Sequence, residues 1–377
     1  MRTALRHVPS LLLKRRPVHL TLFATRRCNA RCAFCFYAWA REAEDAAPEL
    51  STDEIRRVAR SMGGLLWVLF SGGEPYLRDD LVELAAAFHE ANEPAFLTFP
   101  TNGLLPAVIA DRTAEILRRC AKSVVVVKLS LDGVGRDHDE LRGVPGAFDR
   151  VRDTCERLAP LVERFPRLEV GVNTLFCAEN QERMDGIIEF VRGLPGVRGH
   201  TITMVRGDGA AAVDLAQYER TVTRLEARWS EGERRHPRFA GARLKTAQDH
   251  VQRVLVRETL ARGERVIPCE AGRLNLVLTE RGELHPCEGR WDLSFGNVRA
   301  AGYDVRAMLR SEQAGRVLAE IARGACHCTR ECNLLTNILS NPTMHPGLLR
   351  EYARQRLGFS RRNPAPAGPG RARTTVV

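Results

Sequence analysis

Six short apolar runs, at residues 18–23, 65–70, 95–99, 124–129, 168–176 and 201–205, recur with helix-like segments between them. The first helix is announced by Ser51-Thr52-Asp53-Glu54, a capping box that opens residues 55–62. A second, over 79–90, places Leu81, Leu84 and Phe88 on one face. Strands that alternate with helices argue for parallel βαβ units. Six units, each strand ending in a polar or glycine-rich loop, predict a barrel or partial barrel. In that architecture the chemistry lies on the loops at the C-terminal ends of the strands.

The loop after the first run is Cys28-Asn29-Ala30-Arg31-Cys32-Ala33-Phe34-Cys35. Three thiolates spaced C-x3-C-x2-C can wrap one face of an iron–sulfur cluster, whereas a cubane held wholly by protein takes four. One iron left open is a place where another molecule binds, so the pattern points to chemistry at iron rather than passive electron carriage. A zinc knuckle is the competing reading, since Cys/His groups of similar spacing bind zinc.

The chain has 377 residues, enough for one large domain and a smaller one, and its hydrophobic fraction of 44% is ordinary for a globular protein. No run approaches the roughly 20 apolar residues of a membrane span. Leu11-Leu12-Leu13 behind Arg2 and Arg6 is too short for a signal peptide. The expected compartment is the reducing cytoplasm, which suits cysteines that are metal ligands rather than disulfides. Eight of the 11 cysteines fall in two clusters; Cys120, Cys155 and Cys177 are scattered and read as buried small hydrophobes. The formal charge of +11 is concentrated at the two ends. Arg2, Arg6, Lys14, Arg15 and Arg16 precede residue 17 without an acid, and Arg361, Arg362, Arg371 and Arg373 close the chain. The body between them is close to neutral, so the ends read as solvated tails and no nucleic-acid partner is expected.

The cysteine triplet, with an aromatic residue just before its third cysteine, resembles the signature of the radical S-adenosylmethionine (radical SAM) enzymes; Phe34 fills the aromatic place. The resemblance implies a 4Fe–4S cluster on Cys28, Cys32 and Cys35 whose open iron chelates S-adenosylmethionine, the cofactor then being cleaved to a 5′-deoxyadenosyl radical. It also implies an electron donor of the flavodoxin or ferredoxin type. Ser71-Gly72-Gly73-Glu74-Pro75 matches the family's GGE(P) loop, so Gly72, Gly73 and Glu74 are implied to hold the methionine amino group. Two glycines let a backbone approach a ligand closely, and Glu74 can accept from an ammonium group. Thr101-Asn102-Gly103 and Ser130-Leu131-Asp132-Gly133 close the third and fourth strands. Their hydroxyl, amide and carboxylate groups suit ribose and amino-acid head groups, although the same residues form turns. The resemblance further implies that Ser130 and Arg142 contact the ribose and carboxylate, and an Arg fork pairs well with a carboxylate. Asn173, and Phe34 beside the adenine, complete the cofactor-binding candidates with Asn102 and Asp132.

Cys269, Gly282 and Cys287 are spaced like the opening of the SPASM and "twitch" domains appended to many radical SAM enzymes, and Cys326, Cys328 and Cys332 follow. A strand over 274–278, a turn at 280–283 and a return through 284–286 connect the first pair. A full SPASM domain carries seven or eight cysteines; five imply one auxiliary 4Fe–4S cluster, held by Cys269, Cys287 and Cys332 with Cys328 or Cys326 as the fourth ligand. Tetrahedral zinc is the alternative. The predicted organisation is α/β: a basic segment at 1–17, a partial (β/α)6 TIM-like barrel at 18–207 and a helical linker at 208–265, read as one or two surface helices. A small C-terminal iron–sulfur domain at 266–340 and a C-terminal helix with a disordered tail at 341–377 follow. The expected function is hydrogen abstraction from a small polar metabolite, a sugar or a lipid head group. A peptide maturase is the alternative, and the 17 residues before the first strand leave no room for the peptide-binding domain many of those carry. A non-catalytic iron–sulfur carrier or sensor is the third possibility; it has no need of the loops after strands two to four.

Overall fold

The computed structural model describes residues 6–39, 48–206, 209, 212–230, 241–324 and 326–357. Strands β1 (His19–Thr25), β2 (Trp67–Gly72), β3 (Phe96–Thr101), β4 (Val124–Ser130), β5 (Leu168–Phe176) and β6 (Val197–Met204) lie side by side in sequence order, every neighbouring pair parallel. A short helix, α1 (Val8–Leu13), precedes them. Between the strands run α2 (Thr52–Met62), α3 (Leu81–Asn92), α4 (Pro106–Arg119), α5 (Arg136–Arg142), α6 (Ala147–Arg164) and α7 (Met184–Gly193). This is the α/β partial barrel that the alternation of runs predicts. The Ser51 capping box is present with both of its hydrogen bonds, so α2 begins where the local chemistry says it must. Ile55, Val58, Ala59 and Met62 then form the buried stripe of α2. Val125, Val127 and Leu129 of β4 are fully buried, packing in the same apolar core as Ile116 and Leu158 of the flanking helices, while the alternating residues, Lys128 among them, face the barrel interior.

The sheet does not stop at β1. Strand β7 (Asn275–Leu278) pairs parallel to the free edge of β1, with His19 opposite Asn275 and Leu22 opposite Leu278. β8 (Glu283–His285) and β9 (Gly296–Asn297) continue antiparallel, giving nine strands in the order β6-β5-β4-β3-β2-β1-β7-β8-β9. The cysteine-rich C-terminal region therefore shares one sheet with the barrel. α8 (Leu215–Ser230) and α9 (Ala242–Arg262) link β6 to this region. The two helices of the linker are present, but α9 is not a surface helix. It buries Val251, Leu255, Val256 and Leu260, and packs on α12 (Glu331–Ser340) and α13 (His345–Leu357). Gln248 and Gln252 are buried with it and bond each other, which hid its apolar face from a reading of composition. α10 (Val305–Met308) and α11 (Glu312–Arg323) complete the fold.

The basic N-terminal segment is likewise docked. Arg6 pairs with Glu93, Lys14 with Glu270 (2.5 Å), and Leu11 is buried. The tail expected to be disordered lies outside the described residues. Among the described residues no helix is long and apolar enough to cross a membrane.

Candidate active site

The loop carrying Cys28, Cys32 and Cys35 leaves the C-terminal end of β1 and is held from three sides by the loops that follow β2, β3 and β4. After β2, Gly73 N donates to Thr25 O (2.7 Å) and Glu74 N to Arg27 O (2.8 Å). The approach is so close that a Cβ on Gly73 would stand 2.1 Å from Arg27 O. The Gly-Gly pair thus seats the cysteine loop itself, a role that the ligand-centred reading of those glycines did not foresee. After β3, the Asn102 side-chain amide donates to Asn29 Oδ1 (2.7 Å) and lies 3.8 Å from Cys28 Sγ. At the end of α5, Arg31 N donates to Arg142 O (2.8 Å), and Gly143, at φ +63, touches Arg31 where a Cβ would meet its carbonyl at 2.8 Å.

Glu74 is fully buried. Its carboxylate accepts from Thr101 Oγ1 (2.8 Å), Asn102 N (2.7 Å) and Tyr76 N (3.1 Å), which ties the β2 and β3 loops together. Burial pushes its carboxyl up to about 7, against the opposing pull of those hydrogen bonds. Asp132, also fully buried, accepts from Leu175 N (2.7 Å) and forms an ion pair with Arg142. Arg142 Nη1 reaches Cys32 Sγ at 3.6 Å, and its guanidinium lies over the Phe34 ring, 5.5 Å from the centroid. Burial alone would favour a neutral Arg142; the charge of Asp132 and the Cys32 sulfur outweigh it and hold the guanidinium protonated. Ser130 and Asn173 stand opposite each other in the β4–β5 register, and Asn173 reaches Thr203 of β6 at 3.5 Å.

The fit of these residues to a cluster and S-adenosylmethionine can be judged from what they leave unmade. Among the described residues Arg142 Nε, buried beside the cysteine loop, has no hydrogen-bond partner, and a carboxylate there would satisfy it. Ser130 and Asn173 offer a hydroxyl and an amide on the neighbouring strand ends. All three thiols of the triplet are partly accessible. The residues present therefore fit both groups.

At the second cluster, Cys328 lies within electrostatic reach of Cys269, Cys287 and Cys332, and Cys326 within that of Cys269, with Cys326 also beside Arg265 (Nη2 to Sγ, 3.3 Å). Burial pushes Cys269 up to about 11 and Cys287 up to about 12, so ligation there releases protons. Among the described residues no three His, Cys, Asp or Glu side chains converge on a point that would hold a single ion. A cubane does not ask for that convergence, because each thiolate binds a different iron. His285 is occupied by the Leu293 carbonyl (2.8 Å). Arg206 pairs with Glu331 (2.7 Å) and Arg330 with Glu288 (3.2 Å) near the thiols. An aromatic group of Phe23, Tyr37 and Trp291 stands between Cys35 and the β8 end, with Phe23 and Trp291 centroids 5.4 Å apart. Their partnership across more than 250 positions carried no signal in the sequence.

Comparison with known proteins accords with this geometry. Residues 22–191 match the family model described as the Radical SAM superfamily. The chain is 40% identical over 149 residues to an Fe-coproporphyrin III synthase of Methanosarcina barkeri, a stretch that is 36% of this chain and 35% of that protein. It is 33% identical over 203 residues to an AdoMet-dependent heme synthase of the same organism, 52% of this chain and 54% of that one. The alignments thus span about a third to a half of those relatives' own length. Among solved structures, Streptococcus suis SuiB bound to S-adenosylmethionine superposes with a TM-score of 0.59 at 18% identity, covering 89% of this chain and 74% of that one, which establishes the shared fold. Residues 22–191, a little under half of the chain, are thus a domain of the radical SAM superfamily, enzymes that use a 4Fe–4S cluster and S-adenosylmethionine.

Proposed function

We propose that this enzyme cleaves S-adenosylmethionine reductively and abstracts hydrogen from a small polar metabolite, leading to oxidation or C–H functionalisation. The observation that carries the reading is the convergence of Asn102 and Arg142 on Cys28 and Cys32, with Arg142 Nε free to take a carboxylate. When bound, the cluster supplies the electron that breaks the sulfonium bond, and a donor of the flavodoxin or ferredoxin type supplies it in turn. Cys28, Cys32 and Cys35 hold the cluster. The backbone carbonyls of Gly72 and Gly73 take the amino group, Arg142 the carboxylate, and Ser130 with Asn173 the ribose. Glu74 and Asp132 act one step back: Glu74 locks the β2 and β3 loops, and Asp132 orients and holds the charge of Arg142. Cys269, Cys287, Cys328 and Cys332 hold an auxiliary cluster.

A small substrate is supported by the lining of the barrel. Lys128, Ser130, Asn173, Thr201 and Thr203 lie on one side of β4–β6, and Lys128 donates to Thr201 (3.1 Å). The matched relatives, by their names, make coproporphyrin- and heme-type small molecules rather than peptides. Anaerobic reconstitution with iron and sulfide, then addition of dithionite and S-adenosylmethionine, tests the reading. The expected result is ~8 irons per chain, two cubanes' worth, with 5′-deoxyadenosine formed. Replacing Cys28, Cys32 and Cys35 by Ala should abolish that product; persistence of cleavage would sink the assignment. Deuterium transfer into 5′-deoxyadenosine from candidate metabolites then identifies the substrate.

A further inference from the structure

Four guanidinium groups surround the C-terminal thiols. Arg206 acts on Cys328 and Cys332, Arg330 on Cys287 and Cys332, Arg290 on Cys326 and Cys287, and Arg265 on Cys269 and Cys326. Three of them bring their own counter-charge. Arg206 pairs with Glu331, Arg330 with Glu288, and Arg290 with Asp292 (2.7 Å), so each pair is nearly neutral seen from the thiols. Arg265 differs. Its Nη1 donates to the Ile321 carbonyl (2.9 Å) and its Nη2 to Cys326 Sγ (3.3 Å), and among the described residues it meets no carboxylate. The same small cavity is lined by Arg265, Cys269 and Cys328.

We propose that Arg265 is a positioning residue that sets the reduction potential of the auxiliary cluster. The inference rests on the reading that Cys269, Cys287, Cys328 and Cys332 ligate a cubane, with Cys326 left outside and anchored by Arg265. A cubane held by four thiolates is anionic and gains a further negative charge on reduction, and its potential follows net charge, hydrogen bonds to sulfur and burial. A cation that meets no carboxylate among the described residues, set beside the ligands, stabilises the reduced form more than the oxidised form. The three arginines with paired carboxylates contribute little by comparison, because attraction and repulsion cancel at similar distances. The electron in question is added by dithionite or by the physiological donor, and no bond is made or broken.

The test uses the full-length chain with Cys28, Cys32 and Cys35 replaced by Ala, so that only the auxiliary signal remains. Iron is counted, and the cluster's midpoint potential is measured by electron paramagnetic resonance during anaerobic redox titration. About four irons per chain are expected. Arg265→Gln should retain the iron and shift the reduction equilibrium roughly tenfold toward the oxidised cluster, ~59 mV for one electron. Arg265→Lys, which keeps the charge, should stay near the parent. Arg206→Gln, which also strands Glu331 next to the thiols, should shift the equilibrium in the same direction. A parent without iron overturns the auxiliary-cluster reading itself. Iron present but an unchanged potential in Arg265→Gln overturns the role of Arg265 alone. Loss of iron in both Arg265→Gln and Arg265→Met shows that the charge serves assembly, and the proposal as stated then fails.

Discussion

Asp132 and Arg142 illustrate how a buried ion pair earns its place beside a reactive loop. Asp132 has no exposed surface and Arg142 retains little, so neither charge has water to fall back on. Removing one partner strands the other: Asp132→Ala is expected to cost roughly 3–5 kcal/mol, read as a lower urea midpoint. Glu74 makes the complementary case through pH. Its folded carboxyl lies at about 7, above the ordinary 4.5. The folded state then holds the proton more tightly, so stability declines as pH rises through this window and the penalty is complete above it. Glu74→Gln lacks that titration. The stability of wild type relative to Glu74→Gln should fall by up to about 1.4 kcal/mol per pH unit between pH 5 and 7; a constant difference across unfolding curves at those pH values would refute it. The residue types at positions 102, 132 and 142 were legible because polar groups at strand ends have few other uses. Their partners were not, since Asn29, Cys32 and Leu175 are brought to them only by the fold.

Elements formed by local chemistry behaved as their sequences dictate. Ser51 and Glu54 cap α2 reciprocally, and Ser51→Ala should destabilise by about 1 kcal/mol in chemical denaturation. The strands start and end within a few residues of the apolar runs, with β5 coinciding with its run, because the face packed on the helices must stay apolar. Loop contacts are another matter. Gly73 is required by the Arg27 carbonyl pressed against it, so Gly73→Ala should cost about 2 kcal/mol and reduce the iron retained after reconstitution. A variant with full iron content and unchanged stability would show that the loops dock less tightly than the hydrogen bonds from Gly73 and Glu74 require.

The molecule as a whole is joined more closely than two separate modules would be. β7 covers the edge of β1, and Arg299, from the C-terminal region, bonds Glu54 of α2 (2.6 Å) and the Pro48 carbonyl (3.0 Å). Truncation before residue 266 uncovers the β1 edge and the apolar face of α9 together. Such a chain is expected to be recovered as aggregate in gel filtration, because an unpaired strand edge templates association; a monodisperse barrel would show that the shared sheet is dispensable.

Much follows from the chain read in one dimension: the parallel α/β architecture, its helix start at Ser51, the cysteine loop, and the polar residues at the strand ends. Periodicity, capping and ligand spacing are local properties, and each acts over a handful of residues. Three features were decided in three dimensions. β7 joins β1 although some 250 residues separate them. α9 is buried although its sequence is polar. Among the described residues Arg265 meets no carboxylate, while Arg206, Arg290 and Arg330 each acquire one. A linear pattern records which groups a chain carries, but which of them lose water and which charges are cancelled is fixed only by the neighbours that folding supplies.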